Sequence, residues 1–337
     1  MKYFLKITFN LIASTCLVLC SQSSLAATYT LTGNSSVIGK IGSVKPDFND
    51  TLLDIGKIHG FGLQEIKLAN PGVDTWLPGE GREIVLPSEF ILPNAPLVGI
   101  VLNIPEMRLY YFPETKRGKD RQVITYPLGI GREGWNTPYI KTRIVQKKEH
   151  PSWYPPESIR KEHEENGDPL PKVVPPGPDN PMGEYALKLA VGDYSIHGTN
   201  KAFGMGMRVS HGCIRLYPDD IADLFQQVKI NTPVNIINQP YKIGVRDGII
   251  YLEAHPYLDE DHDYFSRNSI TEVVKNIIEV TDENSYTIDW DSVRKALEET
   301  TGMPVAIGMN VPAAPAGDTA ISRRQTKSDT ATVTAVK

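Results

Sequence analysis

The sequence predicts a mainly β domain with short helices, preceded by a small α+β module and followed by a C-terminal helical appendage. Three observations predict it. Runs of β-branched and aromatic residues recur at close intervals between Leu97 and Gln239, the texture of an all-β core. Two short helical patterns lie between short strands in residues 27–93, and two more follow Ser269. With 337 residues the chain has room for about two domains of roughly 150 residues each. Its composition is ordinary for a soluble protein: 40% hydrophobic, 22% charged, net charge -5. No basic stripe stands against that acidic balance, so nucleic acid is not an expected partner.

Lys2 and Lys6 precede an apolar run from Leu11 to Leu19, too short to span a bilayer and charged like a secretory signal. Ser24-Leu25-Ala26 ends in small residues at the positions a signal peptidase reads, so residues 1–26 are expected to be removed and the rest exported. Cys20 follows Leu19, where lipid attachment needs a small residue, so a lipid anchor is not expected. No later stretch approaches the ~18 consecutive apolar residues of a membrane-spanning helix. The mature chain is expected in an oxidising space outside the cytoplasm.

Residues 27–93 read as the small module. Asp50-Thr51-Leu52-Leu53-Asp54-Ile55 supplies capping residues and then an apolar stripe, Leu52, Ile55 and Ile58. A second helix, Leu63 to Leu68, stops at Asn70-Pro71-Gly72, and Ile84-Val85-Leu86-Pro87 is a strand closed by proline. This β-α-α-β order, with Asp50-Thr51-Leu52, Asn70-Pro71, Pro78-Gly79 and Ile84-Val85-Leu86-Pro87 in sequence, resembles a LysM module. The resemblance implies glycan binding, with a packing role as the alternative. The usual glycine before Asp-Thr-Leu is Asn49 here.

From Leu97, two strands flanking Pro105-Glu106 read as a hairpin. Further strands follow at Gln122–Gly131, Lys141–Lys147, Tyr185–Ala190, Tyr194–His197 and Thr232–Ile237. Asp219–Val228 is an amphipathic helix with an acidic start. Between His150 and Met182 nine prolines frame one plausible helix, Ser158–Glu165. A connection this long is functional or a surface excursion; Trp153 and Tyr154 favour a flat contact beside a site. After residue 240 the helical patterns are Ser269–Ile278, opening with a Ser269-Ile270-Thr271-Glu272 capping box, and Asp291–Glu299. His255 and His262 lie in an aspartate-rich stretch and read as surface histidines. Residues 313–337, rich in Ala, Thr and Ser, are expected to be disordered.

With Cys16 and Cys20 in the leader, Cys213 is the lone cysteine of the mature chain. A lone thiol outside the cytoplasm is either buried and inert or chemical. Gly212 allows close backbone approach to a ligand, and His197 and His211 each offer a base. A zinc site on His197, His211 and Cys213 needs a fourth ligand, and no HxH or CxxC spacing supplies one.

The combination of Ile196-His197-Gly198-Thr199-Asn200 with Ser210-His211-Gly212-Cys213-Ile214-Arg215 resembles the L,D-transpeptidases with a YkuD-type catalytic domain. The envelope group of Gram-negative bacteria with an N-terminal LysM module is the nearest likeness. Pro127–Gly131, Asp179–Gly183 and Gly204–Val209 match in the same order. The resemblance covers residues 97–239 and implies a YkuD-type β-sandwich, a periplasmic location and no cofactor or metal. It implies Cys213 as nucleophile, His197 as base and the Gly198 carbonyl as the group orienting His197. The turn from Ser210 through His211 and Gly212 would form the oxyanion and substrate-binding site with Arg215. The implied acyl donor is a peptidoglycan tetrapeptide stem, attacked at the L-centre carbonyl of meso-diaminopimelate with loss of D-Ala. The acceptor is an amine of an outer-membrane protein or of a second stem. Hydrolysis of the same bond, or wall binding without catalysis, are the alternatives. A nearby imidazolium lowers a thiol pKa, so thiolate is expected below the free-thiol value of ~8.5.

Overall fold

The computed structural model describes residues 26–115, 117–281 and 286–310. The expected leader, up to residue 25, and the expected tail from 313 lie outside the described residues.

The chain enters with strand β1 (Ala27–Thr30), which pairs antiparallel with residues 122–125. This corrects the expected start of the small module: its first residues belong to the edge of the large sheet. The module itself follows as β2 (Val37–Gly39), β3 (Gly42–Val44), α1 (Leu52–His59), α2 (Leu63–Leu68), β4 (Ile84–Leu86) and β5 (Glu89–Ile91). β3 pairs with β4 and β2 with β5, so the two helices lie between paired strands. Thr51 caps α1, accepting from the Asp54 N–H, and the Asp54 carboxylate reaches back to the Thr51 N–H. Leu52 and Ile55 are buried with Leu63, Ile66 and Ile84. Ile58, expected on that stripe, is exposed; Gly56, one residue beyond Ile55, is the position that turns inward.

The large domain runs through β6 (Gly99–Asn103), β7 (Arg108–Phe112), β8 (Gln122–Pro127), β9 (Ile130–Gly131), β10 (Ile140–Glu149), α3 (Glu157–Glu165), β11 (Tyr185–Leu189), β12 (Ser195–His197), β13 (Arg208–Ser210), β14 (Ile214–Arg215), α4 (Pro218–Gln227) and β15 (Pro233–Ile237). Among the described residues one nine-stranded sheet has the order β1-β8-β7-β6-β15-β10-β11-β12-β14. Its two ends share a core: Leu109 and Tyr126 from one end pack in one cluster with Leu187, Ile196 and Ile214 from the other, closed by Ile221, Leu224 and Phe225 of α4. A sheet whose ends meet in one core is curled, and the mainly β expectation is met. β6 and β7 form the expected hairpin, in which Met107 takes a left-handed φ of 56°.

The C-terminal unit is not a helical appendage. It is a four-stranded sheet, β16 (Tyr241–Arg246), β17 (Ile249–Ala254), β18 (Tyr286–Ile288) and β19 (Val305–Asn310), in the order β16-β17-β19-β18. Helices α5 (His262–Thr281) and α6 (Trp290–Glu299) cover it, burying Phe265, Val273, Ile277, Val293 and Ala296. Ser269 lies inside α5, because the buried stripe begins a turn earlier at Phe265; the expected capping box there does not form. His255 is also corrected. It is 4% exposed and bonds through Nε2 to Glu253 at 2.7 Å, whereas His262 is exposed as expected.

Two buried ionic contacts join the three units. Arg108 of β7 reaches Glu65 of α2 at 2.6 Å and stacks 4.4 Å over the Phe90 ring. Lys242 of β16 sits between Glu106 and Glu253, at 2.9 and 2.7 Å, and donates to the Ile91 carbonyl at 2.7 Å. The module also docks by backbone: Leu63 and Gln64 N–H groups donate to the Met205 and Gly206 carbonyls. Gly206 (φ 70°) is needed there, since a Cβ would lie 2.5 Å from the Leu63 nitrogen. No helix of the described residues is long and apolar enough to cross a membrane.

Candidate active site

Strand register builds the site. Side chains alternate between faces of a sheet, and Leu187, Ile196 and Ile214 point into the core, so their neighbours point out. Pairing places Gln146 opposite Lys188 and Lys148 opposite Ala186; across the next seam Lys188 faces Ser195 and Ala186 faces His197. The parallel β12–β14 pair sets Ile196 opposite Ile214 and His197 opposite Arg215, which leaves Cys213, one residue before β14, opposite Ser195. Two rows result: Gln146, Lys188, Ser195, Cys213 and, beside it, Lys148, Ala186, His197, Arg215. All eight residues line one cavity of about 970 Å³, a size suited to a ligand site.

His197 is 5% exposed. Its Nδ1–H donates to the Gly198 carbonyl at 2.7 Å; a carbonyl only accepts, so Nε2 is the lone-pair nitrogen of the neutral ring. Burial pushes its pKa down to about 4, and the Arg215 guanidinium adds to this, against the opposing pull of the Gly198 and Met182 carbonyls. Gly198 itself lies against α4, where a Cβ would press on Ile221 at 3.1 Å. Burial likewise pushes the Cys213 thiol up; the Ser195 N–H, Lys188 and Arg215 oppose it without prevailing. Desolvation thus favours thiol and neutral imidazole at rest over the expected thiolate–imidazolium pair.

The turn before the thiol is rigid. Gly212 adopts φ 96°, and a Cβ would lie 2.9 Å from the Tyr194 ring. Thr137 Oγ1 donates to the Gly212 carbonyl at 3.0 Å and Ser210 Oγ to the Cys213 carbonyl. With both carbonyls held, the Gly212 and Cys213 N–H groups donate to no acceptor among the described residues and are free to meet an oxyanion. Ser210 thus braces the turn. Arg215 lines the cavity, its Nε buried without a hydrogen-bond partner, while its backbone exchanges two bonds with Gly129.

His211 reaches the proline-rich insertion. Its ring stands edge-on to Trp135 and its Nε2 lies 3.1 Å from Arg132 and 3.3 Å from Glu162 of α3. Arg132 and Glu162 pair at 2.5 Å. The insertion is closed at its base by Asn180, fully buried, whose Nδ2 donates to the Pro151 and Pro175 carbonyls and whose Oδ1 accepts from the Met182 N–H. Trp153, Tyr154, Ile159 and Leu170 line the cavity, so the insertion walls the site. Sequence reading missed Arg132, Glu162, Lys188 and Asp193. Only period-two counting from His197 carried a signal for Ser195 and none for their cross-strand partners.

Residues 98–236 match the family described as the L,D-transpeptidase catalytic domain, YkuD. The chain is 40% identical over 308 residues to "Probable L,D-transpeptidase ErfK/SrfK" of Escherichia coli K12, covering 88% of this chain and 96% of that one. It is 40% identical over 295 residues to "Probable L,D-transpeptidase YbiS" of the same organism, covering 86% and 94%. Among solved structures, L,D-transpeptidase 3 from Mycobacterium tuberculosis is similar with a TM-score of 0.31 at 20% identity, over 46% of this chain and 67% of that chain.

Proposed function

Because the chain belongs to the L,D-transpeptidase family with a YkuD catalytic domain, we propose that it is a cysteine-dependent acyltransferase of peptidoglycan, working in the periplasm after export. The observation that carries the catalytic assignment is the parallel β12–β14 register, which sets Cys213 diagonal to His197 on one cavity floor.

The acyl donor is a tetrapeptide stem whose third residue is meso-diaminopimelate. Its L-centre carbonyl carbon takes the attack of Cys213 Sγ as the thiol proton passes to His197 Nε2. Since both groups rest uncharged, the proton moves during attack, and the Gly198 carbonyl holds the imidazolium that forms. Gly212 and Cys213 N–H groups receive the oxyanion, a contribution of about 3 kcal/mol per donor elsewhere. Collapse breaks the bond to D-Ala, whose nitrogen takes the proton from His197, leaving a thioester. An amine acceptor then attacks, gives its proton to His197, and expels the Cys213 sulfur, which recovers that proton. Thioester chemistry conserves the acyl energy, so no cofactor or nucleotide is needed.

The acceptor is a protein amine, giving attachment to the wall, or a second stem, giving a 3→3 cross-link. The module at residues 37–91 has the strand–helix–helix–strand order of a LysM unit and is assigned to hold glycan beside the catalytic domain. Muropeptide mass spectrometry of a strain lacking the protein separates the acceptors, because protein-linked stems and 3→3 dimers are different products. The purified mature enzyme should release D-Ala from the stem, and Cys213→Ala should release none while keeping its fold. An active Cys213→Ala variant sinks this mechanism.

A further inference from the structure

The β11–β12 hairpin ends in the turn Val191-Gly192-Asp193-Tyr194, which brings Asp193 to the thiol: its backbone oxygen lies 3.9 Å from Cys213 Sγ. Its carboxylate lies 3.1 Å from the Lys188 ammonium. Both residues lie at the catalytic cavity, the Asp193 carboxylate on its open side. Lys188 stands in the Cys213 row with Ser195 between them, two strand spacings or about 10 Å from the nucleophile between Cα atoms. The pair does little for the fold. Asp193 is fully exposed and Lys188 about a third exposed, and such open pairs contribute little to stability. Ala186 occupies the equivalent position in the neighbouring row, so nothing in the hairpin requires a charge there.

A cation and an anion side by side on a cavity wall complement a group that carries both charges. Arg215 differs: its Nε is buried without a partner and no carboxylate acts on it among the described residues, so it suits a lone carboxylate. We propose that Lys188 and Asp193 read the zwitterionic D-centre of the donor's third residue, Lys188 taking its carboxylate and Asp193 its ammonium, while the L-centre carbonyl meets Cys213. The inference rests on the L,D-transpeptidase reading above. Substrate binding exchanges one solvent-exposed ion pair for two intermolecular charge-assisted ones, and the bound stem itself takes water from the pair. A lysine in place of diaminopimelate keeps the ammonium and leaves Lys188 without its carboxylate.

The test is first-turnover release of D-Ala by the purified mature enzyme from four synthetic tetrapeptides. Their third residues are meso-diaminopimelate, the same residue amidated at its D-centre carboxyl, the same residue acetylated at its D-centre amine, and L-lysine. Wild type should prefer the first by about tenfold in kcat/KM, the modest scale expected of charge-assisted contacts to side chains this open to solvent. Lys188→Met should slow the first donor to the rate of the amidated one, and Lys188→Arg should restore the preference. Asp193→Asn should lower turnover of the first donor through KM and spare the donor acetylated at its D-centre amine. A melting temperature within about 2 °C of wild type shows that each variant folds. A wild type with no preference, or a Lys188→Met variant that keeps it, overturns this inference alone. A wild type that releases D-Ala from none of the donors overturns the transpeptidase reading and this inference with it.

Discussion

Burial sets the protonation of Cys213 and His197 before any substrate arrives, and that decides how the pair can be tested. Alkylation by iodoacetamide reads resting thiolate. With the thiol pushed up by desolvation, the wild-type alkylation rate should keep rising above the free-thiol midpoint of ~8.5. His197→Gln should show a similar profile yet lose transfer, because His197 acts during attack. A wild-type midpoint near pH 6 that His197→Gln abolishes would restore the resting ion pair. The same histidine also links pH to stability. Its folded pKa of about 4 lies below its unfolded value of 6.5, so below pH 6.5 the unfolded chain binds the proton first. The contribution is fully present above pH 6.5, is lost as pH falls toward 4, and amounts to about 3 kcal/mol at a fully buried site. Melting temperatures of wild type and His197→Gln should therefore diverge above pH 6 and converge near pH 4; a constant gap would refute the linkage.

Among the elements, those whose periodicity is local were legible. Both helices of the small module, the β6–β7 hairpin, α3 and α4 follow from caps, prolines and apolar spacing within a few residues. The chemistry of the site was legible for the same reason, since a lone thiol and a histidine in glycine-framed runs stand out by residue type. What escaped depends on partners distant in sequence. Glu162 lies 49 residues from His211, and nothing in the local pattern around 162 marks it. Of the C-terminal strands, β18 escaped because it has only three residues and β19 because its burial alternates weakly, with only Ile307 buried between the two. Arg108 lies in a strand whose own run carries no mark of its partner, and it is 1% exposed against Glu65, 43 residues away. Glu65→Ala should leave that guanidinium buried without its anion and cost about 3–5 kcal/mol, while Glu65→Gln with Arg108→Met should recover much of the loss. Denaturant titration of the single and double variants checks this. Additive losses would mean that the two side chains act independently.

At the scale of the whole molecule, three units meet on one ammonium. Lys242 is 1% exposed and touches Ile91 of the small module, Glu106 and Tyr110 of the large domain, and Glu253 of its own sheet. The carboxylates of Glu106 and Glu253 with His255 would crowd a cation by themselves, and the ammonium already fills that place. An ion held by all three units couples their unfolding, so the wild type should melt in one transition. Burial pushes the Glu106 carboxyl up, and Lys242 and His255 outweigh it, holding the group below the usual range. A depressed folded pKa gives stability that is present above the unfolded value of ~4.3 and lost as pH falls through the folded one. Lys242→Met removes the cation from between two buried carboxylates, leaving Glu106 without a contacting cation and Glu253 with His255 alone, a loss of about 3–5 kcal/mol at pH 7. Calorimetry should then resolve two transitions, the C-terminal sheet melting first. The deficit should shrink below pH 4, where a protonated Glu106 carboxyl no longer needs a counter-ion. A Lys242→Met protein that still melts in one transition, with a deficit independent of pH, would place the coupling of the three units in their apolar contacts instead.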